Sequence, residues 1–98
     1  MTVLDDAYRS AMRMYGIPES MQAGLLRYLV DRIHPGHFLV AVLSNDLAGA
    51  FGRGDAENLA ALPAYVMFLV NAVPGAAWGS PDRVTAWLMA PRARGGHL

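Results

Sequence analysis

The amino-acid sequence predicts an all-α fold: a compact bundle of about five short helices, with the third and fourth buried. Three observations carry this expectation. Apolar residues recur at spacings of three and four along most of the chain, the period of a helix with one face turned inward. Glycine and proline, accompanied by serine, threonine or aspartate, punctuate those stretches where helices start and stop. And from Asn58 through Pro81 there is no charged residue, so the run Leu59 to Val73 lacks a polar face and reads as a core helix. That run falls short of the roughly 20 residues a membrane span requires, and Pro63 and Asn71 interrupt it.

Thr2 is placed to cap a first helix, with Asp5 near the positive end of its dipole. Leu4, Ala7, Tyr8, Ala11, Met12 and Tyr15 form its inner stripe, while Asp5, Asp6, Arg9, Ser10 and Arg13 share the outer side, and Gly16 ends it. Arg9 and Arg13 are either a solvated face or a small basic surface for an acidic partner. Pro18, Glu19 and Ser20 open a second helix whose inner face is Met21, Leu25, Tyr28, Leu29 and Ile33, with Arg27, Asp31 and Arg32 outward. The sequence His34-Pro35-Gly36-His37 breaks the pattern. Zinc needs three or four ligands, and the only further histidine is His97, so both rings read as turn and helix-start residues rather than as a metal site.

Phe38 to Phe51 is expected as a single third helix, with Leu39, Val42, Leu43, Leu47 and Ala50 in register. Asn45 and Asp46 are the polar pair inside it. Both are poor mid-helix residues; they are either held by tertiary hydrogen bonds or line a cleft. Gly52-Arg53-Gly54 makes a tight connection, and Asp55 caps the central helix. Pro63 must kink that helix or begin a new segment, and a kink is the favoured reading. Irregular chain from Pro74 to Gly79 leads to Ser80-Pro81-Asp82, a capped start to a last helix with Val84, Trp87 and Leu88 inside. Trp78, in the irregular stretch, is a lid on the core or an anchor for a partner. The domain is expected over residues 1–90, followed by a mobile polar tail over 91–98.

Eight acidic residues balance eight basic ones, leaving no global field to draw in nucleic acid or an anionic membrane. The third and fourth helices carry no basic residue in their interiors, which argues against a DNA-reading helix-turn-helix. The chain has no cysteine, and the first residues lack the apolar run of a secretory signal, so the cytoplasm is the expected location. No nucleophile turn, phosphate loop, dinucleotide fingerprint or zinc helix is present. No enzyme activity, cofactor or metal is therefore expected. An apolar content of 54% with 16% charge is high for a domain this small, and exposed apolar area predicts a protein contact.

The segments Gly16-Ile17-Pro18-Glu19-Ser20, Arg27-Tyr28-Leu29 and Pro35-Gly36-His37-Phe38-Leu39-Val40-Ala41-Val42-Leu43-Ser44-Asn45-Asp46-Leu47 resemble a group of small, mostly uncharacterised phage and prophage proteins. The similarity continues through Asp55, Glu57 and Asn58 to Trp78-Gly79-Ser80-Pro81 and Trp87. Pro63 departs from the group's pattern. The resemblance brings no catalytic residues. It implies a protein that binds a host or phage protein, its sharpest form being an anti-CRISPR inhibitor of a bacterial CRISPR-Cas defence complex. The partner-binding candidates are Arg9, Arg13, Asn45, Asp46 and Trp78. The competing readings are a self-associating structural or accessory protein, as a homodimer, and a small DNA-binding regulator.

Overall fold

Chain reversal sets the helix boundaries before any packing does. In the computed structural model, which describes residues 3–91, Gly16 takes the left-handed conformation (φ 87°). Its N–H and that of Ile17 bond back to the carbonyls of Arg13 and Met12 at 3.3 and 2.9 Å. This satisfies carbonyls that the end of a helix would leave bare. The first helix, α1, is Val3–Tyr15, and Ile17 is then buried beside it. The second, α2, is Glu19–Asp31, stopped by Arg32 in the same left-handed conformation (φ 61°).

The described residues form seven α-helices and a 3-10 turn, with no strand among them. The all-α expectation holds, while the number and boundaries of the helices differ from it. The stretch expected as one third helix is two: α3, His37–Leu43, and α4, Leu47–Arg53. Asn45 adopts φ 62°, and the N–H groups of Asn45 and Asp46 close the end of α3 onto Val42 and Ala41. Asp46 then caps α4, accepting the Gly49 N–H at 2.9 Å. The two polar residues that look misplaced inside a helix are the break between two helices, one in the left-handed conformation and the other at a cap.

The central run is divided as well. α5 is Ala56–Ala60 and α6 is Leu62–Ala72, with Pro63 in the first turn of α6. Proline there removes an N–H that has no helical acceptor in any case, so Pro63 begins a segment instead of kinking one. α7, Pro81–Met89, starts as expected, with the Ser80 hydroxyl accepting the Arg83 N–H at 3.1 Å. The preceding 3-10 turn is Gly75–Ala77. Thr2 and the expected tail beyond Pro91 lie outside the described residues.

α1 packs on α2 and α6, α3 on α4 and α7, and α7 on the 3-10 turn. The core comprises Met12, Leu25, Tyr28, Leu29, Leu39, Leu43, Tyr65 and Phe68, all essentially inaccessible to solvent. Gly54 touches this core through the absence of a side chain: a Cβ there would lie 2.6 Å from the Phe38 ring.

Burial corrects three further expectations. Asp5 is buried, placed in the first turn of α1 where the helix dipole favours a carboxylate. Ile33 is 48% exposed, because the turn at Arg32 ends the helical period one residue earlier. And α6 is not enclosed. Tyr65, Phe68 and Leu69 face inward, whereas Val66, Met67 and Val70 stand in solvent. α4 is still less buried, with only Ala50 inside, so the expected burial of the third and fourth helices holds for α3 and for one face of α6.

Candidate functional site

Two kinds of surface emerge from this arrangement, one polar and one apolar. On the polar side, Arg9 and Arg13, one turn apart on α1, line a shallow groove of about 390 Å³ with Glu19, Gln22 and Ala23 of α2. Gln22 is oriented by donating to the Ile17 carbonyl at 3.0 Å. Arg13 is exposed; Arg9 is half-buried, and its Nε has no hydrogen-bond partner among the described residues. This is the basic face expected from the sequence, with one carboxylate placed beside it.

Asn45 and Asp46 are both exposed at the α3–α4 junction. Asp46 lines a cleft of about 260 Å³ with His37, Val40, Ser44, Arg53 and Pro81. Asp46 thus lines a cleft, while the hydrogen bond that holds it is a local cap and not the tertiary bond expected. Its carboxylate receives an N–H of its own helix, and Arg53 Nη1 donates to the Gly49 carbonyl at 3.4 Å. Trp78 is half-buried against the core, as a lid would be. Its carbonyl accepts from Arg83 Nη1 at 3.4 Å. The structure does not bring Trp78 into either polar cleft.

His34 and His37 meet edge to face with ring centroids 5.7 Å apart, and His34 Nδ1 accepts the Gly36 N–H at 3.1 Å. That acceptor role makes His34 a turn-forming residue. Among the described residues no group of three or more His, Cys, Asp or Glu side chains comes together.

A polar cluster that the sequence did not disclose ties α2 to α7. The Tyr28 hydroxyl donates to the Ala77 carbonyl at 2.7 Å, and Trp87 Nε1 donates to the Tyr28 carbonyl at 3.1 Å. The left-handed turn at Arg32, expected to point outward, instead lays the guanidinium over the Trp87 ring at 3.5 Å. Arg32 Nε and Nη1 are buried without hydrogen-bond partners among the described residues, and the Trp87 ring face lies against the guanidinium as a favourable contact for the cation. Burial pushes the Tyr28 hydroxyl up to about 12 and raises Tyr8, each opposed in part by the Arg32 charge. Tyr65 is raised by burial, with Asp55 and Glu57 adding to the effect, and donates to Asn58 Oδ1 at 2.9 Å. Tyr28 and Tyr65 are neutral, proton-holding groups with internal partners, and they tie neighbouring segments together.

The apolar surface is the feature the sequence analysis assigned to the interior. A groove between α4 and α6 is lined by Val42, Leu47, Ala50, Leu62 and Val66, with Asn45 and Asp46 at its rim. Leu47 is 71% exposed and Val66 52%. Phe51, one turn beyond Leu47, is 64% exposed, and Val70, one turn beyond Val66, 61%. Nothing in the sequence marked it, since Val66 and Val70 share the helical period of Leu62 and Leu69, and the packing of α1 on α6 decides which of them face inward.

Comparison with protein-family models, curated proteins and solved structures finds no match for this chain. Among the described residues no helix is long and apolar enough to cross a membrane.

Proposed function

We propose that this chain is a non-enzymatic protein-interaction module that acts by occupying the surface of another protein molecule. The observation that carries this reading is the set of exposed apolar residues on α4 and α6: Leu47, Phe51, Val66, Met67 and Val70 are each at least half exposed, and Leu47 and Val66 line one groove. Single apolar residues on a surface are ordinary, but a grouped set flanking a groove is the signature of a contact site. The balanced charge of the chain supports a protein partner over nucleic acid, whose binding rests on phosphate neutralisation.

The resemblance to small phage and prophage proteins supplies the sharper version. There the partner is a host protein met in the cytoplasm, and specifically a subunit of a bacterial CRISPR-Cas complex that the module blocks. Arg9, Arg13 and the Asn45–Asp46 rim would provide the polar part of such a contact, with Trp78 as a further anchor. Self-association is the second reading, favoured by the same apolar face.

A tagged pull-down from lysate of a CRISPR-bearing bacterium, run beside the Val66→Asp variant, tests the proposal. The expected result is a stoichiometric protein bound by the natural sequence and lost from the variant. Equal recovery with both, or no bound protein of either kind, would overturn it.

A further inference from the structure

We infer that the polar cleft where α3, α4 and the start of α7 converge binds a small zwitterion of the free amino-acid class, with its ammonium group on Asp46 and its carboxylate on Arg53 and Ser44. This site is separate from the protein contact proposed above, and either can fail without the other.

Local structure builds the cleft. His37, Val40, Ala41 and Ser44 follow one another at spacings of three and four, so they share one face of α3 and its cap. The end of α3 is fixed to the approach to α7, where the Gly79 N–H donates to the Leu43 carbonyl at 2.7 Å, and Pro81 at the start of α7 joins the lining. The volume, about 260 Å³, lies just under the roughly 300–1,000 Å³ of sites for drug-sized ligands. An occupant is therefore limited to about the size of a single amino acid.

Ser44 supplies a polar group that the fold does not use. It is 8% exposed, it lines the cleft, and its hydroxyl makes no hydrogen bond to any described residue. Its backbone N–H is already spent on the Val40 carbonyl at 2.8 Å. Buried hydroxyls are as a rule bonded, and a ligand carboxylate at this point satisfies the one at Ser44.

Asp46 and Arg53 supply opposite charges on either side of Gly49. A Cβ at Gly49 would collide with the Asp46 carboxylate and lie 3.1 Å from Arg53 Nη1, so the glycine lets both groups close on the same point. Each is tethered to the Gly49 backbone by one bond: Asp46 Oδ1 accepts the N–H at 2.9 Å, and Arg53 Nη1 donates to the carbonyl at 3.4 Å. Asp46 Oδ2 and the other guanidinium N–H groups are left for a ligand. A lone anion would be opposed by Asp46 and a lone cation by Arg53, whereas a zwitterion satisfies both with charge-assisted bonds. Val40, Ala41 and Pro81 give it an apolar lining for a short side chain.

Titration of the full chain with the common amino acids in turn, followed through its backbone amide resonances by nuclear magnetic resonance, is the test. At least one small amino acid is expected to give saturable shifts at the Ser44 and Gly49 amides in the sub-millimolar to millimolar range. Acetate and methylamine, each carrying one of the two charges, are expected to bind at least about tenfold more weakly. Ser44→Ala removes a hydroxyl without a structural bond and is expected to weaken binding about threefold or more. Arg53→Gln, at an exposed position, is expected to weaken it about tenfold. Arg13→Gln, in the groove between α1 and α2, is expected to leave it unchanged. Circular dichroism checks that each variant keeps its helical content. No saturable shift with any amino acid would overturn the inference. Acetate binding as tightly as the best amino acid would also overturn it, by reducing the cleft to an anion site, and so would binding that survives both Ser44→Ala and Arg53→Gln.

Discussion

α2 and α6 make an instructive pair, because the more apolar of the two is the more exposed. α2 carries Glu19, Arg27 and Asp31 yet buries Leu25, Leu26, Tyr28, Leu29 and Val30. α6 carries no charge and buries only Tyr65, Phe68 and Leu69. Hydrophobicity is non-directional and sets how much surface would gain from burial; it does not choose the face. The choice in α2 is made by directional bonds. The Tyr28 hydroxyl reaches Ala77, the Tyr28 carbonyl receives Trp87, and the turn at Arg32 lays a guanidinium over the same indole. α6 has a corresponding polar tether on one side only, Tyr65 to Asn58. Its other side is apolar without being tied to anything.

If that contrast is right, variants in the two regions should behave differently. Phe68→Ala, on the inward face of α6, is expected to cost about 3–5 kcal/mol because it leaves a cavity in a close-packed core, read from urea denaturation. A much smaller loss would mean that the inward face is also loosely packed.

Tyr28→Phe is expected to cost about 1–3 kcal/mol, since it leaves the Ala77 carbonyl buried without its donor. It also sharpens the comparison through pH. A tyrosine in the unfolded chain releases its proton near pH 10, while the folded Tyr28 keeps its own to about 12. Across that window the unfolded state binds fewer protons, so stability is complete below pH 10 and falls as pH rises towards 12. The variant should show a shallower alkaline decline, with Tyr65 and Tyr8 supplying what remains.

Asp46→Ala, at the α3–α4 break, is expected to cost about 1 kcal/mol by removing the cap on α4. Its effect on association should be slight. A large effect on association would turn Asp46 from a structural residue into a contact residue. Smallest of all is Val66→Asp under dilute conditions, where thermal unfolding should change by no more than about 0.5 kcal/mol, as for an ordinary surface site.

Much of the fold was legible because local chemistry specifies it. Gly16 ends α1, Asp55 caps α5 through the Asn58 N–H, and Ser80-Pro81-Asp82 starts α7, each as its residue type requires. The division at Asn45–Asp46 was legible too, once asparagine is read as a left-handed helix stop and aspartate as the next cap; the continuing apolar period across the junction concealed it. The exposed side of α6 was not legible in this way. Val66 and Val70 share the helical period of Leu62 and Leu69, and only the packing of α1 and the position of Tyr65 and Phe68 decide which residues face inward. Arg32 was hidden for a similar reason, since its place over Trp87 depends on a contact between residues far apart in sequence.

The central claim is that the α4–α6 face is a contact surface and the α2 region is core. Methyl resonances followed by nuclear magnetic resonance as the captured partner protein is added test it most directly. The methyl groups of Leu47, Val66 and Val70 should shift as it binds, while those of Leu25, Leu29 and Leu39 hold still. Shifts at neither set, or equal shifts at both, would contradict the account.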